Sequence, residues 1–158
     1  MAGPRPLSSS LTLAAASSIA DSVITLAREE KLLPLVVAVL DSAGSLVAYK
    51  REDGAGLLRF DIATGKAWGA LGMGLSSRTI RDRMKDNLGF QNALAAASGG
   101  RFVPVPGGVL ILDANGAVIG AVGISGDTSD KDEYCAITAI QRAGFASDPP
   151  QPHPNWRG

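Results

Sequence analysis

Apolar residues recur at spacings of three and four from Leu13 through Ala16, Ile19, Ala20, Val23, Leu26 and Ala27. That stripe predicts an amphipathic helix from Leu13 to Lys31, with Thr12 as its cap and Pro34 barring continuation. Apolar and β-branched residues then run from Val36 to Leu40, Asp41-Ser42-Ala43-Gly44 reads as a turn, and Leu46 to Lys50 runs back as a hairpin. The same grammar returns 72 positions later: Val37, Leu40, Asp41 and Gly44 are matched by Val109, Leu112, Asp113 and Gly116. A second hairpin is therefore expected, from Val109 to Leu112 and back through Val118 to Ile124.

Helical sequence separates the hairpins, over Asp61 to Leu75, a charged stretch Thr79 to Asp86, and Phe90 to Ala97. A last helix is expected from Asp130 to Ala143, with Ser129 as N-cap and Asp132 completing a loose capping box. A fifth strand is expected around Phe102 to Pro106. The order of elements predicts an α+β domain, an antiparallel sheet covered by helices. Residues 1–10 read as a loose N-terminus, 11–147 as the domain, and 148–158 as a Pro-rich tail of extended or polyproline character.

Composition narrows the possibilities. The 158 residues carry 15 Lys+Arg against 15 Asp+Glu, which gives no basic footprint for a nucleic-acid backbone. The hydrophobic content of 46% supplies a core for one domain without metal or disulfide. A single cysteine, Cys135, excludes an intrachain disulfide and a Cys-rich zinc site, so a reducing cytoplasm is the expected setting. Arg5 and the Leu11–Ala20 run imitate a short signal peptide, but the helical stripe crosses the would-be cleavage point. No apolar run reaches bilayer-spanning length, and no membrane association is expected.

Several residues suit chemistry. Lys66 has Ile62, Ala63, Gly69 and Ala70 as helical neighbours, so its ammonium is either desolvated, and usable as a base, nucleophile or anion clamp, or snorkels to water. Gly65, Gly69 and Gly72 interrupt the same helix and call for close approach of a subunit, a backbone or a ligand. Gly99-Gly100-Arg101 and Pro104-Val105-Pro106-Gly107-Gly108 read as a pocket wall, with the Arg101 fork placed for a carboxylate. Asp127, Asp130, Asp132 and Glu133 crowd the start of the last helix. They favour its dipole, repel a phosphate at the Gly120/Gly123/Gly126 segment, and lack the spacing of a calcium loop, so no metal site is expected. Asp132 or Glu133 could act as general acid or base if the fold brings either to Lys66. No nucleophile elbow is present, and the lone histidine, His153, lies in the tail. Cys135 reads as a small buried apolar residue, and Arg78, Arg81, Arg83 and Lys85 as a solvated basic run.

Taken together, VVAVLDSAGSLVAYKREDGA (36–55), DIATGKAWGALGMG (61–74) and GGRFVPVPGGVLILDANGAVIGAVGISGDTSDKDE (99–133) resemble the GlcG/HbpS family, the PduO C-terminal-like domain. The resemblance implies a profilin-like fold with a central five-stranded antiparallel sheet flanked by helices, and homo-oligomeric assembly. It further implies a haem- or corrinoid-associated binding role, or one beside small-molecule catabolism. No histidine of the domain body is available as a haem ligand; Tyr49, Tyr134, Met73, Met84 and Cys135 are the substitutes their chemistry allows. Two readings follow. In one, Tyr49, Lys66, Arg101, Pro106, Gly107 and Gly108 line a pocket for haem or another carboxylate-bearing ligand. In the other, a cofactor-independent enzyme uses Lys66, Asp132 and Glu133 for proton transfer and Arg101 to anchor a carboxylate.

Overall fold

The computed structural model describes all 158 residues. The chain runs α1 (Leu13–Glu29), β1 (Val36–Asp41), β2 (Leu46–Arg51), α2 (Arg59–Met73), α3 (Ser77–Met84), α4 (Leu88–Ala97), β3 (Gly108–Leu112), β4 (Val118–Ser125), α5 (Ser129–Arg142) and β5 (Ala146–Asp148). The strands form one antiparallel sheet in the order β2-β1-β4-β3-β5. No helix is long and apolar enough to cross a membrane.

Strand periodicity divides the core between the two faces of this sheet. Val37, Val39, Val109, Ile111, Val122 and Ile124 pack against α1 and α5. Alternate residues Val36, Ala38, Leu40, Leu110 and Ala121 face Ala63, Ala67 and Ala70 of α2. The α2 interface is built of small residues, and β4 answers it with Gly123, where a Cβ would meet the Ala63 carbonyl oxygen at 1.8 Å. Helix and sheet thus approach at backbone distance.

Both hairpins form with the expected turns. Asp41 Oδ1 accepts from the Ala43 and Ser45 amides at 3.0 Å, and Asp113 Oδ1 from those of Asn115 and Ala117 at 2.8 and 2.9 Å. Thr12 caps α1 through the Ala15 amide. The helix ends at Glu29, short of Lys31, which takes a positive φ.

Two expectations are corrected, and the position of the tail is seen. Residues Phe102 to Pro106 form no strand; the fifth strand is Ala146–Asp148, paired with β3 through Leu110–Asp148 to Leu112–Ala146. The β3 edge therefore takes its partner from the chain that follows α5. The last helix begins at Ser129 with Thr128 in the cap position and no side-chain cap bond. Asp132 is unavailable for a capping box because its oxygens serve the Asp127 amide and Lys66. The tail also docks on the domain: Trp156 stacks on Tyr134 with centroids 3.6 Å apart, Arg157 pairs with Glu30, and Arg78 donates to the Gln151 carbonyl at 2.8 Å.

Candidate functional site

The residues singled out from sequence fall into two groups on different sides of α2. Lys66 points inward. It is 2% exposed, and its Nζ donates to the Ile124 carbonyl at 2.8 Å and to Asp132 Oδ2 at 3.1 Å. Burial lowers the Lys66 pKa and raises that of Asp132, while their mutual attraction opposes both shifts. Glu133, fully buried, lies 3.3 Å from the Arg78 guanidinium, and neither of its carboxylate oxygens has a hydrogen-bond partner. Desolvation pushes its pKa up to about 7, against the attraction of Arg78. None of these three residues lines a cavity of the molecule.

Pro106, Gly107 and Gly108 belong to this interior and not to a pocket wall. All three are buried. A Cβ on Gly107 would meet Lys66 Nζ at 2.9 Å, and one on Gly108 would meet the Lys66 carbonyl oxygen at 2.3 Å. Gly107 also adopts a φ of +117°, open to glycine alone at low cost. The Ser77 hydroxyl binds the Gly108 amide at 2.8 Å, so the segment is sealed against α2 and α3. Its glycines make room for Lys66, for the side chain at Gly107 and the backbone at Gly108.

The second group faces outward. Residues Asp61, Thr64, Gly65 and Trp68 share the opposite face of α2 at helical spacing, and with Leu40, Gly44, Leu46 and the Gly99–Arg101 loop they enclose an open cavity of about 580 Å³. The close approach that Gly65 and Gly69 call for is intrachain: a Cβ on Gly65 would meet the Arg101 carbonyl oxygen at 2.5 Å, and one on Gly69 the Phe102 ring at 2.9 Å. Holding this loop against α2 places the Arg101 guanidinium 3.9 Å over the Trp68 ring. Arg101 Nε is spent on the Ser98 carbonyl at 3.0 Å, and no acidic side chain pairs with the guanidinium.

Tyr49 stands beside this cavity. Its ring meets Phe60 edge-on with centroids 5.1 Å apart, and it borders an adjoining hollow of about 320 Å³ that shares Leu46, Phe60 and Asp61 with the first. The other residues weighed as haem ligands are placed otherwise. Cys135 is buried, with its thiol pushed up to about 12 by desolvation; Met84 is 5% exposed among Ile80 and Phe102; Tyr134 lies against Trp156. Met73 borders a separate apolar hollow of about 180 Å³, and His153 Nδ1 accepts from the Asn155 amide at 3.2 Å.

The sequence reading did not single out Trp68, Phe60 or Asp61. The signal was available in the spacing of Asp61, Thr64, Gly65 and Trp68, which sets them on one helical face turned away from Ala63, Ala67 and Ala70.

Comparison with known proteins agrees with this architecture. The family model described as haem-degrading protein HbpS-like matches residues 11–141. A 15.0 kDa protein from the dhaT-dhaS intergenic region of Citrobacter freundii is 34% identical over 130 residues, covering 82% of this chain and 89% of that one. The corrinoid adenosyltransferase PduO of the same organism is 28% identical over 112 residues, 71% of this chain but 33% of PduO. Among solved structures, a PduOC complex with haem superposes with a TM-score of 0.77 at 26% identity, covering 86% of this chain and 96% of that one.

Proposed function

The chain belongs to the HbpS-like family, and from that premise we propose that it is a small-ligand-binding protein taking haem or a related flat, carboxylate-bearing tetrapyrrole. The observation that carries the reading is Arg101, a guanidinium stacked on Trp68 at the wall of an open cavity of about 580 Å³ and paired with no carboxylate of its own chain. Cavities of roughly 300–1,000 Å³ with apolar walls and few polar groups are the usual form of a small-molecule site.

The residues present suit such a ligand. Trp68, Leu46 and Phe60 offer apolar surface, and Arg101 offers two remaining nitrogens as a fork for a propionate. Tyr49, 41% exposed at the adjoining hollow, would be the side chain available to ligate a haem iron. Haem would bring an iron centre able to bind a further small ligand or exchange an electron; this chain would grip its edge and exclude water from one face. A PduOC:haem complex among the structural neighbours supports this choice of ligand.

The interior group has a different task under this reading. Lys66 and Asp132 tie α2 to α5 and to the end of β4, with no opening through which a substrate would reach them.

The test is a haemin titration followed in the Soret region. A saturable, stoichiometric change is expected. Arg101→Gln should weaken it by roughly ten- to a hundred-fold, in keeping with about 1.5–3 kcal/mol for a charged hydrogen bond. Tyr49→Phe should move the Soret maximum if the phenol ligates iron. A titration indistinguishable from that of an unrelated protein overturns the reading.

A further inference from the structure

The Arg101 cavity does not end at Phe60. Leu46, Phe60 and Asp61 line it and also line the hollow bordered by Tyr49, so the two spaces adjoin across these residues as a two-part trough along β2 and the start of α2. Its far hollow is bordered by a second arginine, Arg51, the last residue of β2. Arg51, like Arg101, pairs with no acidic side chain, although Lys50 beside it pairs with Asp21 and Glu52 with Arg28. Each hollow of the trough is thus bordered by a guanidinium with no acidic partner, and the shared saddle is apolar except for Asp61.

We propose that the trough is a two-anion site, whose ligand carries two separated acidic groups on a flat apolar body, one for Arg101 and one for Arg51. This rests on the binding role of the Arg101 cavity and extends it. Asp61 belongs to both hollows, so its negative charge works against an anion anywhere in the trough, most of all over the saddle, and the attraction of an anion comes from the two arginines alone. The apolar body lies on Leu46 and Phe60, with the Tyr49 ring fixed edge-on against Phe60. Both arginines supply planar forks, which recognise carboxylate by two parallel hydrogen bonds. A monoacid would fill half of this arrangement.

The test uses the full chain and rigid aromatic acids of increasing length: terephthalate, naphthalene-2,6-dicarboxylate and biphenyl-4,4′-dicarboxylate, each beside its monoacid. Binding is read by calorimetry in the wild type, in Arg51→Gln and in Arg101→Gln, with haemin titrated in parallel. At least one diacid is expected to bind ten-fold or more tightly than its monoacid. Arg51→Gln should abolish that advantage, and Arg101→Gln should abolish it as well while also weakening the monoacid. Circular dichroism of the variants controls for folding; Arg51 is exposed, and glutamine keeps its backbone pairing with Val36.

Equal affinity of every diacid and its monoacid, or a diacid advantage that survives Arg51→Gln, overturns the two-anion site. So does failure of every diacid to bind. The haemin arm separates the two claims: haemin binding that is weakened in Arg101→Gln but indifferent to Arg51→Gln keeps the cavity and discards its second anion subsite. Haemin binding indifferent to Arg101 discards both.

Discussion

Lys66 Nζ lies 3.1 Å from Asp132 Oδ2, with both side chains at most 3% exposed, and this pair joins the helix on one face of the sheet to the helix on the other. The ammonium completes its shell with the Ile124 carbonyl, and the carboxylate with the Asp127 amide. Removing one partner strands the other in the interior. Lys66→Met should therefore cost about 3–5 kcal/mol in chemical denaturation, and the Lys66→Met, Asp132→Asn double variant clearly less than the sum of the two single losses.

Glu133 makes stability depend on pH in the opposite sense to a surface carboxylate. Its folded pKa of about 7 exceeds the ordinary value of 4.5, so the folded chain holds the proton more tightly between those limits. Stability from this group is complete below about pH 4.5 and falls as pH rises towards 7, by about 3 kcal/mol in full. Glu133→Gln should flatten that slope in unfolding curves recorded from pH 5 to pH 8. An unchanged slope would show that solvent or Arg78 already compensates the charge.

Trp68 holds Arg101 in place by stacking. Trp68→Leu should keep the cavity apolar yet release the guanidinium plane, lowering haemin affinity roughly three- to ten-fold, since such contacts contribute about 0.5–2 kcal/mol. Arg101→Lys, which preserves charge without the fork, should lose a comparable amount. Wild-type affinity in both variants would mean that orientation at this wall is immaterial.

The tail is fastened on the α1/α5 side, away from the trough. Trp156→Ala removes the ring over Tyr134 and should lower stability by about 1–2 kcal/mol while leaving ligand affinity unaltered. Thermal unfolding and the haemin titration, run on the same preparation, measure the two effects separately.

Cys135 should be silent towards thiol reagents in the native state, because its side chain is fully buried and its thiol is raised to about 12. Labelling should appear only with denaturant, at the unfolding midpoint. Fast labelling of native protein would reveal an opening of α5.

The two hairpins and their turns were legible because a period of two, an Asp and a Gly are sufficient to define each one locally. Helix α2 was legible as an element but not as a divider. Lys66 and Trp68, two positions apart, point to opposite sides of it, and only the packing of Ala63, Ala67 and Ala70 on the sheet decides which side is interior. The glycines of 107–108 pointed correctly to close approach, but the approaching group is Lys66, by its side chain at Gly107 and its backbone at Gly108. β5 was hidden because three residues at the mouth of a Pro-rich segment carry no periodicity of their own; an open β3 edge creates the strand. Arg51 was passed over because an exposed cation on an edge strand looks ordinary until its neighbours are seen to be paired elsewhere.

The Asp41 turn bears on how the trough would meet a guest. Gly44 in that turn lies against the Trp68 indole, 3.3 Å from the ring to where a Cβ would stand, and Asp41 locks the turn with two amide bonds. The Gly99-Gly100 pair on another part of the lining is also tied down: both amides donate back to the end of α4, to the Ala96 and Ala95 carbonyls at 3.1 and 2.8 Å, and both residues take positive φ. A guest that seats between two walls already fixed loses little conformational entropy of the chain on association, and an alanine at Gly99 or Gly100 would strain the backbone that holds the second wall in place.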